Sequence, residues 1–426
     1  MKKLTSNLEL SRRGFLQFAG AAAGAAAASS WLPRIAFAAN RSGAGRDVVV
    51  TIFLRGGADG LSLVPPHADP NYYIHRPNLS VPKPSSASPN KCIDLNGFFG
   101  FHPALAPLLP AYQAGRLLVI NATGSPVANR SHFEKERIVE FGDLTGSIGS
   151  GWLARHLLTI NAMTPGSLLR GMGVRTSPQH ALVGAPLTLP IADPTTFGLA
   201  GSPSSEAARK KALTDMYSNI SGDLKDNGLN TLATLELLKS VGINNYIPSN
   251  GAVYPTTGSF SSFGKGLFSA AALIKAQVGV EAIAIDLADW DTHGTQGVFN
   301  GTFNSLADAL AKGLAAFDQD LSGAASPGVT TIVMSEFGRT VRENGNAGTD
   351  HGFGNAMFLL GKAVNGGQVV TQWPGLAANQ LFEGQDLNIT IDYRDVLAEV
   401  VDKRLQNTNI AGVFPGYSPA YHNLVN

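Results

Sequence analysis

Apolar and polar residues follow one another along the chain in two distinct rhythms. Residues 47–54 (DVVVTIFL) form an unbroken β-branched run closed by Arg-Gly-Gly, the pattern of a strand buried on both faces. Residues 281–287 (EAIAIDL) and 330–334 repeat it, and 117–121 add a shorter strand. In the later half Phe303, Leu306, Leu310, Leu314 and Phe317 recur at spacings of three and four, which places one apolar stripe on a helix. Helical patterning also covers 103–114, 131–141, 152–160, much of 205–241 and 392–405. Strands alternating with helices predict an α/β fold, a mostly parallel central sheet with helices on both faces. The long helical middle, about 200–278, reads as a helical cap or insertion into that sheet.

The first residues break this pattern. Lys2 and Lys3 precede Ser11-Arg12-Arg13-Gly14-Phe15-Leu16, an apolar stretch runs from 19 to 32, and Ala36-Phe37-Ala38 offers a small-x-small cleavage site. Charged, apolar and small-residue regions in that order are a secretory signal, and the paired arginines mark its twin-arginine version. The apolar part is too short and too weakly hydrophobic for a span of ~20 residues. The expected organisation is a signal peptide at 1–38 and one α/β domain at 39–426, with no membrane span in the mature chain. The twin-arginine translocase is the expected partner during export, and the location periplasmic or secreted. That route carries folded cargo, so a metal can be loaded before export, away from competition by tighter-binding ions.

Composition narrows the partners. The net charge is +1, and the leader's Lys2, Lys3, Arg12, Arg13 and Arg34 against Glu9 contribute +4, which leaves −3 for the mature chain. No basic run survives cleavage, so neither nucleic acid nor an anionic membrane is an expected partner. Cys92 is the only cysteine, so no internal disulfide is possible and stability must come from a core.

In open α/β sheets, ligands gather at the carboxyl ends of strands. Asp59 follows the first strand in Leu-Arg-Gly-Gly-Ala-Asp-Gly, and Asp289, Asp291 and His293 follow EAIAIDL. Glu336 follows the strand at 330–334, with Asp350 and His351 a short loop later. Asp59, Asp291, His293, Glu336, Asp350 and His351 are therefore candidate metal ligands. This oxygen and imidazole mix suits Zn, Mn or Fe, with Mg or Ca favoured where oxygens dominate. Each piece has an ordinary reading beside it. Asp59 could cap a helix, and Glu336 could pair with Arg339.

A nucleophile candidate is Ser131, in Asn129-Arg130-Ser131-His132-Phe133-Glu134 at the start of a predicted helix. A hydroxyl there sees the helix's positive end, and a nearby divalent cation would lower its pKa. The same serine followed by Glu134 is also a capping box, and the two roles are compatible. Arg55 and Arg339 could clamp an anionic group of a small substrate, or pair with carboxylates of the site.

At these motifs the chain resembles the exported bacterial proteins known as domain of unknown function 1501. The matches are Leu-Arg-Gly-Gly-Ala-Asp-Gly, Arg-Ser-His-Phe, Asp-Thr-His, Ser-Glu-Phe-Gly-Arg-Thr and Asp-His-Gly, in order from about 47 to 405. That family resembles a distant branch of the alkaline phosphatase and sulfatase superfamily. The resemblance implies an alkaline-phosphatase-like α/β fold and two divalent metals beside a Ser, Thr or Cys nucleophile. Carried over by residue, Asp59 would ligate one metal and face the nucleophile Ser131. Asp291, His293 and His351 would hold the other. The chain departs from the superfamily at Glu336-Phe337, where Asp-His is usual: Glu336 can replace the aspartate, but Phe337 cannot ligate. One metal is then weakened, absent or completed by Asp350.

Two functions follow as expectations. One is an exported metal-dependent hydrolase or transferase of phosphate or sulfate esters using Ser131. The other is a non-catalytic exported binding or assembly protein that keeps the fold and one metal.

Overall fold

The apolar runs become the middle of one sheet. The computed structural model describes residues 45–426. The strands are β1 (Val48–Leu54), a small hairpin of β2 (Ile93–Asp94) and β3 (Gly100–Phe101), β4 (Leu117–Gly124), β5 (Gly171–Val174) and β6 (Thr188–Pro190). They continue as β7 (Ala282–Leu287), β8 (Val329–Met334), β9 (Asn355–Leu360), β10 (Val369–Val370) and β11 (Ile391–Asp392). The order across the main sheet is β10-β4-β9-β8-β1-β7-β5-β6, and β11 also pairs with β4. Every pairing within this sheet is parallel except those of β9, which runs antiparallel to both β4 and β8. The fold is α/β with a mostly parallel sheet, as the alternation predicted.

Both faces are covered, which is why β1 is apolar at consecutive positions. Val48, Val50, Ile52 and Leu54 face one core, and Val49 and Phe53 face the other. Of the helices, α1 (His132–Phe141), α2 (Trp152–Thr159), α3 (Glu206–Ser218), α4 (Asp223–Val241), α5 (Ser261–Ala276), α6 (Thr302–Leu321) and α7 (Tyr393–Lys403) are the longer ones. Helices α5 and α6 cover the first face, and α2 and α7 the second. The stripe Phe303, Leu306, Leu310, Leu314 and Phe317 on α6 is buried throughout.

The helix expected over 103–114 is a 3-10 turn (Pro103–Leu108) followed by a short α-helix (Leu109–Gln113). Pro103 suits a first helical position, but Pro107 and Pro110 remove amide donors that a continuous helix needs. The range 200–278 holds three helices in different settings. Helices α3 and α4 form a peripheral hairpin, and α3 buries no residue, whereas α5 lies in the layer over the sheet. The expected twin-arginine signal lies outside the described residues. Among the described residues no helix is long and apolar enough to cross a membrane.

Lys135, on α1, is buried and donates to the carbonyls of Ser125 and Val127, tying down the loop that leads into the helix. Burial lowers its pKa from 10.5 to about 8. The folded state therefore prefers the neutral amine. Between about pH 8 and 10.5 the unfolded chain holds a proton that the folded one has lost, so this group adds stability as pH rises. Unfolding free energies of the parent and of Lys135→Met, compared at pH 7 and pH 10, should diverge in the parent's favour at the higher pH. The size is up to about 3 kcal/mol at 1.36 kcal/mol per pKa unit. A difference independent of pH would contradict it.

Candidate metal centre

Strand polarity gathers the site. The carboxyl ends of β1, β4, β7 and β8 lie at one edge of the sheet, and β9, being antiparallel, brings its amino end to the same edge. Asp291 and His293 follow β7, and Glu336 follows β8. His132 opens α1 after β4, and His351 lies just before β9. The turn after β1 is Gly56-Gly57, with φ of 109° and 68°. A Cβ on Gly56 would sit 2.6 Å from the Asp291 amide nitrogen, so glycine is what lets this turn lie against the Asp291 loop.

Three candidate ligand atoms converge, and a fourth lies beside them. The Asp291 Oδ1 lies 3.2 Å from His293 Nε2, 3.2 Å from His351 Nε2 and 3.5 Å from His132 Nε2. Among the described residues, His132, Asp291 and His351 form the set whose facing atoms all fall within 4.8 Å of one another, and His293 stands beside that set with its Nε2 2.8 Å from His351 Nε2. Tetrahedral ligands held at about 2.0–2.1 Å from a zinc ion lie roughly 3.4 Å apart, close to the spacings around Asp291.

The opposite nitrogen of each ring decides the tautomers. His132 Nδ1 is 2.7 Å from Glu336 Oε1, His293 Nδ1 is 2.7 Å from Asp350 Oδ1, and His351 Nδ1 is 2.7 Å from the carbonyl oxygen of Arg130. Carboxylate and carbonyl oxygens only accept, so each Nδ1 carries the proton and donates it. In the neutral form of each ring, the form a metal ion binds, Nε2 is then a bare lone pair facing Asp291. Three lone pairs and a carboxylate facing one another repel unless a cation lies among them. His132 Nε2 is buried with no hydrogen-bond partner, the orphan such a cation would satisfy. An imidazole held from behind by a carboxylate or carbonyl is the usual support of a metal ligand. The donor set fits the group.

The local electrostatics agree. Burial would raise the Asp291 carboxyl, but the buried Arg339 guanidinium 2.7 Å away, with help from His351 and His293, holds it down to about 2. The Glu336 hydrogen bond lifts the His132 imidazole above its ordinary value, whereas burial pushes His351 down. The Phe337 ring packs on both His132 and His351, at centroid distances of 4.9 and 4.8 Å. An apolar wall thus closes this side of the cluster.

The candidates from sequence divide into groups. Asp291, His293 and His351 meet at the centre. Glu336 and Asp350 stand behind histidines, and Glu336 is buried and also accepts from the Gly56 amide and the Ser335 hydroxyl. Asp59 is apart from the cluster and wholly buried. Its two oxygens take Arg76 in a bidentate pair, and Oδ2 also accepts from Ser62 and Gln296. Arg339 donates to the carbonyls of Gly56, Gly57, Trp290 and Thr349 besides Asp291, so it positions Asp291 and offers no clamp. Arg55 is ringed by Glu136, Glu140 and Asp286 at 2.9–3.0 Å, which uses it internally. Ser131 occupies the N-cap position of α1, but its hydroxyl makes no capping bond, and Glu134 instead accepts from Asn129. Ser131 is exposed, next in the chain to His132.

His132 is the candidate ligand that sequence reasoning missed. It sits in the same Arg-Ser-His-Phe motif as Ser131, at the amino end of a helix after a central strand, and that placement was its signal.

A family model described as "Protein of unknown function (DUF1501)" matches residues 46–413. No curated protein matches the chain.

Proposed function

The chain belongs to the family of proteins of unknown function DUF1501, and from its site we propose an exported, metal-dependent hydrolase of phosphate or sulfate esters working at one cation held by His132, Asp291, His293 and His351. The observation that carries this reading is the convergence of three Nε2 lone pairs on Asp291, each ring pinned at Nδ1 by an acceptor. Three nitrogens and one oxygen favour Zn, Mn or Fe over Mg or Ca. Such an ion, when bound, supplies Lewis acidity toward an ester oxygen and lowers the pKa of a nearby hydroxyl.

The chain's own groups would do the rest. The Ser131 hydroxyl, free of a capping bond and solvent-facing, is the nucleophile. Glu336, Asp350 and the Arg130 carbonyl keep the histidines in the ligating tautomer. Arg339 orients Asp291, and Phe337 excludes water from one side. The order of the motifs, which resembles that of the alkaline phosphatase and sulfatase superfamily, supports the reaction class. The leader at 1–38 supports export through the twin-arginine translocase to the periplasm or beyond, with the ion loaded beforehand.

A second reading is a non-catalytic binding or assembly protein retaining one metal. The engagement of Arg55 and Arg339 by internal partners favours it, because neither reaches a substrate. The two separate in one experiment. Protein loaded with Zn or Mn is offered aryl phosphate and aryl sulfate esters. The hydrolase reading predicts turnover that Ser131→Ala removes without loss of bound metal. Bound metal with no ester cleaved would establish the second reading instead.

A further inference from the structure

Arg130 belongs to neither the sheet nor a helix, yet it touches the centre from two sides. Its carbonyl oxygen takes the His351 Nδ1 proton at 2.7 Å. Its guanidinium reaches the opposite way, with Nη2 at 2.5 Å from Asp386 Oδ2 and 2.8 Å from Glu383 Oε2. Asp386 is fully buried, so one end of this pair is fixed in the protein interior, while Glu383 is half exposed.

The turn that carries these carboxylates is stitched to the segment 339–341 beside His351. Phe382 and Asp386 exchange both backbone hydrogen bonds, and the Val341 amide donates to the carbonyl of Gln385. Thr340 pairs with Asp386 on one side, and its amide donates to the Asp350 carbonyl on the other. Arg339 and His351 form a further antiparallel bridge, and Phe382 stacks on Phe353, two residues beyond His351, at 4.0 Å. The contacts therefore close a ring, from His351 to the Arg130 carbonyl, through its side chain to Asp386, and back through residues 340–341 and 350 to His351.

We propose that Arg130 is a positioning residue for the metal centre, a latch whose ion pair with Asp386 and Glu383 sets where its carbonyl stands and so fixes the tautomer and aim of His351. The inference rests on the metal reading of the site. A backbone carbonyl needs a rigid loop to serve this purpose, and residues 125–131 have no regular structure of their own. Lys135 holds the loop's start through Ser125 and Val127, and the Asn129 side chain accepts the Ser131 amide. Arg130 anchors its end. The exposed half of the latch contributes little, as surface ion pairs do. The buried half with Asp386 carries the anchoring.

The test titrates Zn²⁺ and Co²⁺ into the metal-free full chain, with the parent first. Loss of a partner that supports a ligand typically costs about 10–100-fold in metal affinity, and Arg130→Ala is expected to weaken Zn²⁺ binding by that factor. The visible Co²⁺ absorption should change in shape as one imidazole leaves the coordination sphere, a change that a generally loosened fold would not produce. Arg130→Lys, which keeps a cation beside Asp386, should recover much of the affinity. Arg137→Ala, on the exposed face of α1, should bind as the parent does. Parental affinity and an unchanged Co²⁺ spectrum in Arg130→Ala would overturn the latch. If Arg130→Ala does not fold, Asp386→Asn decides, and parental binding there also overturns it. A parent chain that binds neither ion overturns the metal reading itself, so the two failures are told apart at the first step.

Discussion

Replacing His132 by alanine is expected to remove stoichiometric metal binding while the chain stays folded. The imidazole contributes the one Nε2 of the cluster that is buried without any hydrogen-bond partner, so its lone pair has no structural use there. Its loss takes away a direct ligand, and the cost should exceed the about 10–100-fold seen when only a supporting partner goes. The fold should survive, because Glu336 keeps the Gly56 amide and the Ser335 hydroxyl as donors. Competition titration with a chelator measures the loss, and thermal unfolding of the metal-free forms checks the fold. Ser131→Ala is the contrast, since it should keep the metal. Parental affinity in His132→Ala would remove this residue from the centre.

Asp59→Ala should act in the opposite way, on stability. Asp59 and Arg76 form a bidentate pair in which both side chains have no exposure. Burial alone would raise the Asp59 carboxyl, and the Arg76 guanidinium outweighs that and holds it below the usual range. Arg76 also donates to the carbonyls of Val341 and Thr340, so it cannot swing out to water when its partner goes. Breaking a buried pair by removing one member leaves an uncompensated charge and costs about 3–5 kcal/mol. Denaturant unfolding of the metal-free chain reads this directly. The folded fraction of Asp59→Ala should still take up one ion. Unchanged stability with lost metal would return Asp59 to the ligand set.

The contrast between these two residues shows what the sequence could convey. The strands at 47–54, 281–287 and 330–334 announce themselves because a sheet covered on both faces needs apolar side chains at consecutive positions. From the strands follows the edge where chemistry gathers, and Asp291 and His293 could be placed there from their order alone. His351 also reached that edge, but for a reason the pattern does not contain. It precedes an antiparallel strand, and the direction of β9 is settled by pairing with β4 and β8 rather than by its own residues.

The carboxylates were harder. An aspartate or glutamate after a strand can bind a metal, hold a histidine or neutralise an arginine, and only the third dimension selects among these. Asp59 found Arg76 across a loop, while Glu336 and Asp350 found imidazoles. Arg55 and Arg339 illustrate the same limit for cations, since their partners lie on α1, β7 and the loops after β1 and β7. In the Arg-Ser-His-Phe motif, the serine's familiar chemistry drew attention away from the histidine beside it. Phe337 was legible as a departure, and the structure adds where its ring goes: it packs against His132 and His351.

The central claim is therefore a single cation bound by His132, Asp291, His293 and His351. Its most direct test is the metal-to-protein ratio of the mature chain purified from its native compartment without chelators. One transition-metal ion per chain is the predicted result. No bound metal would contradict the centre, and two per chain would contradict a single cation.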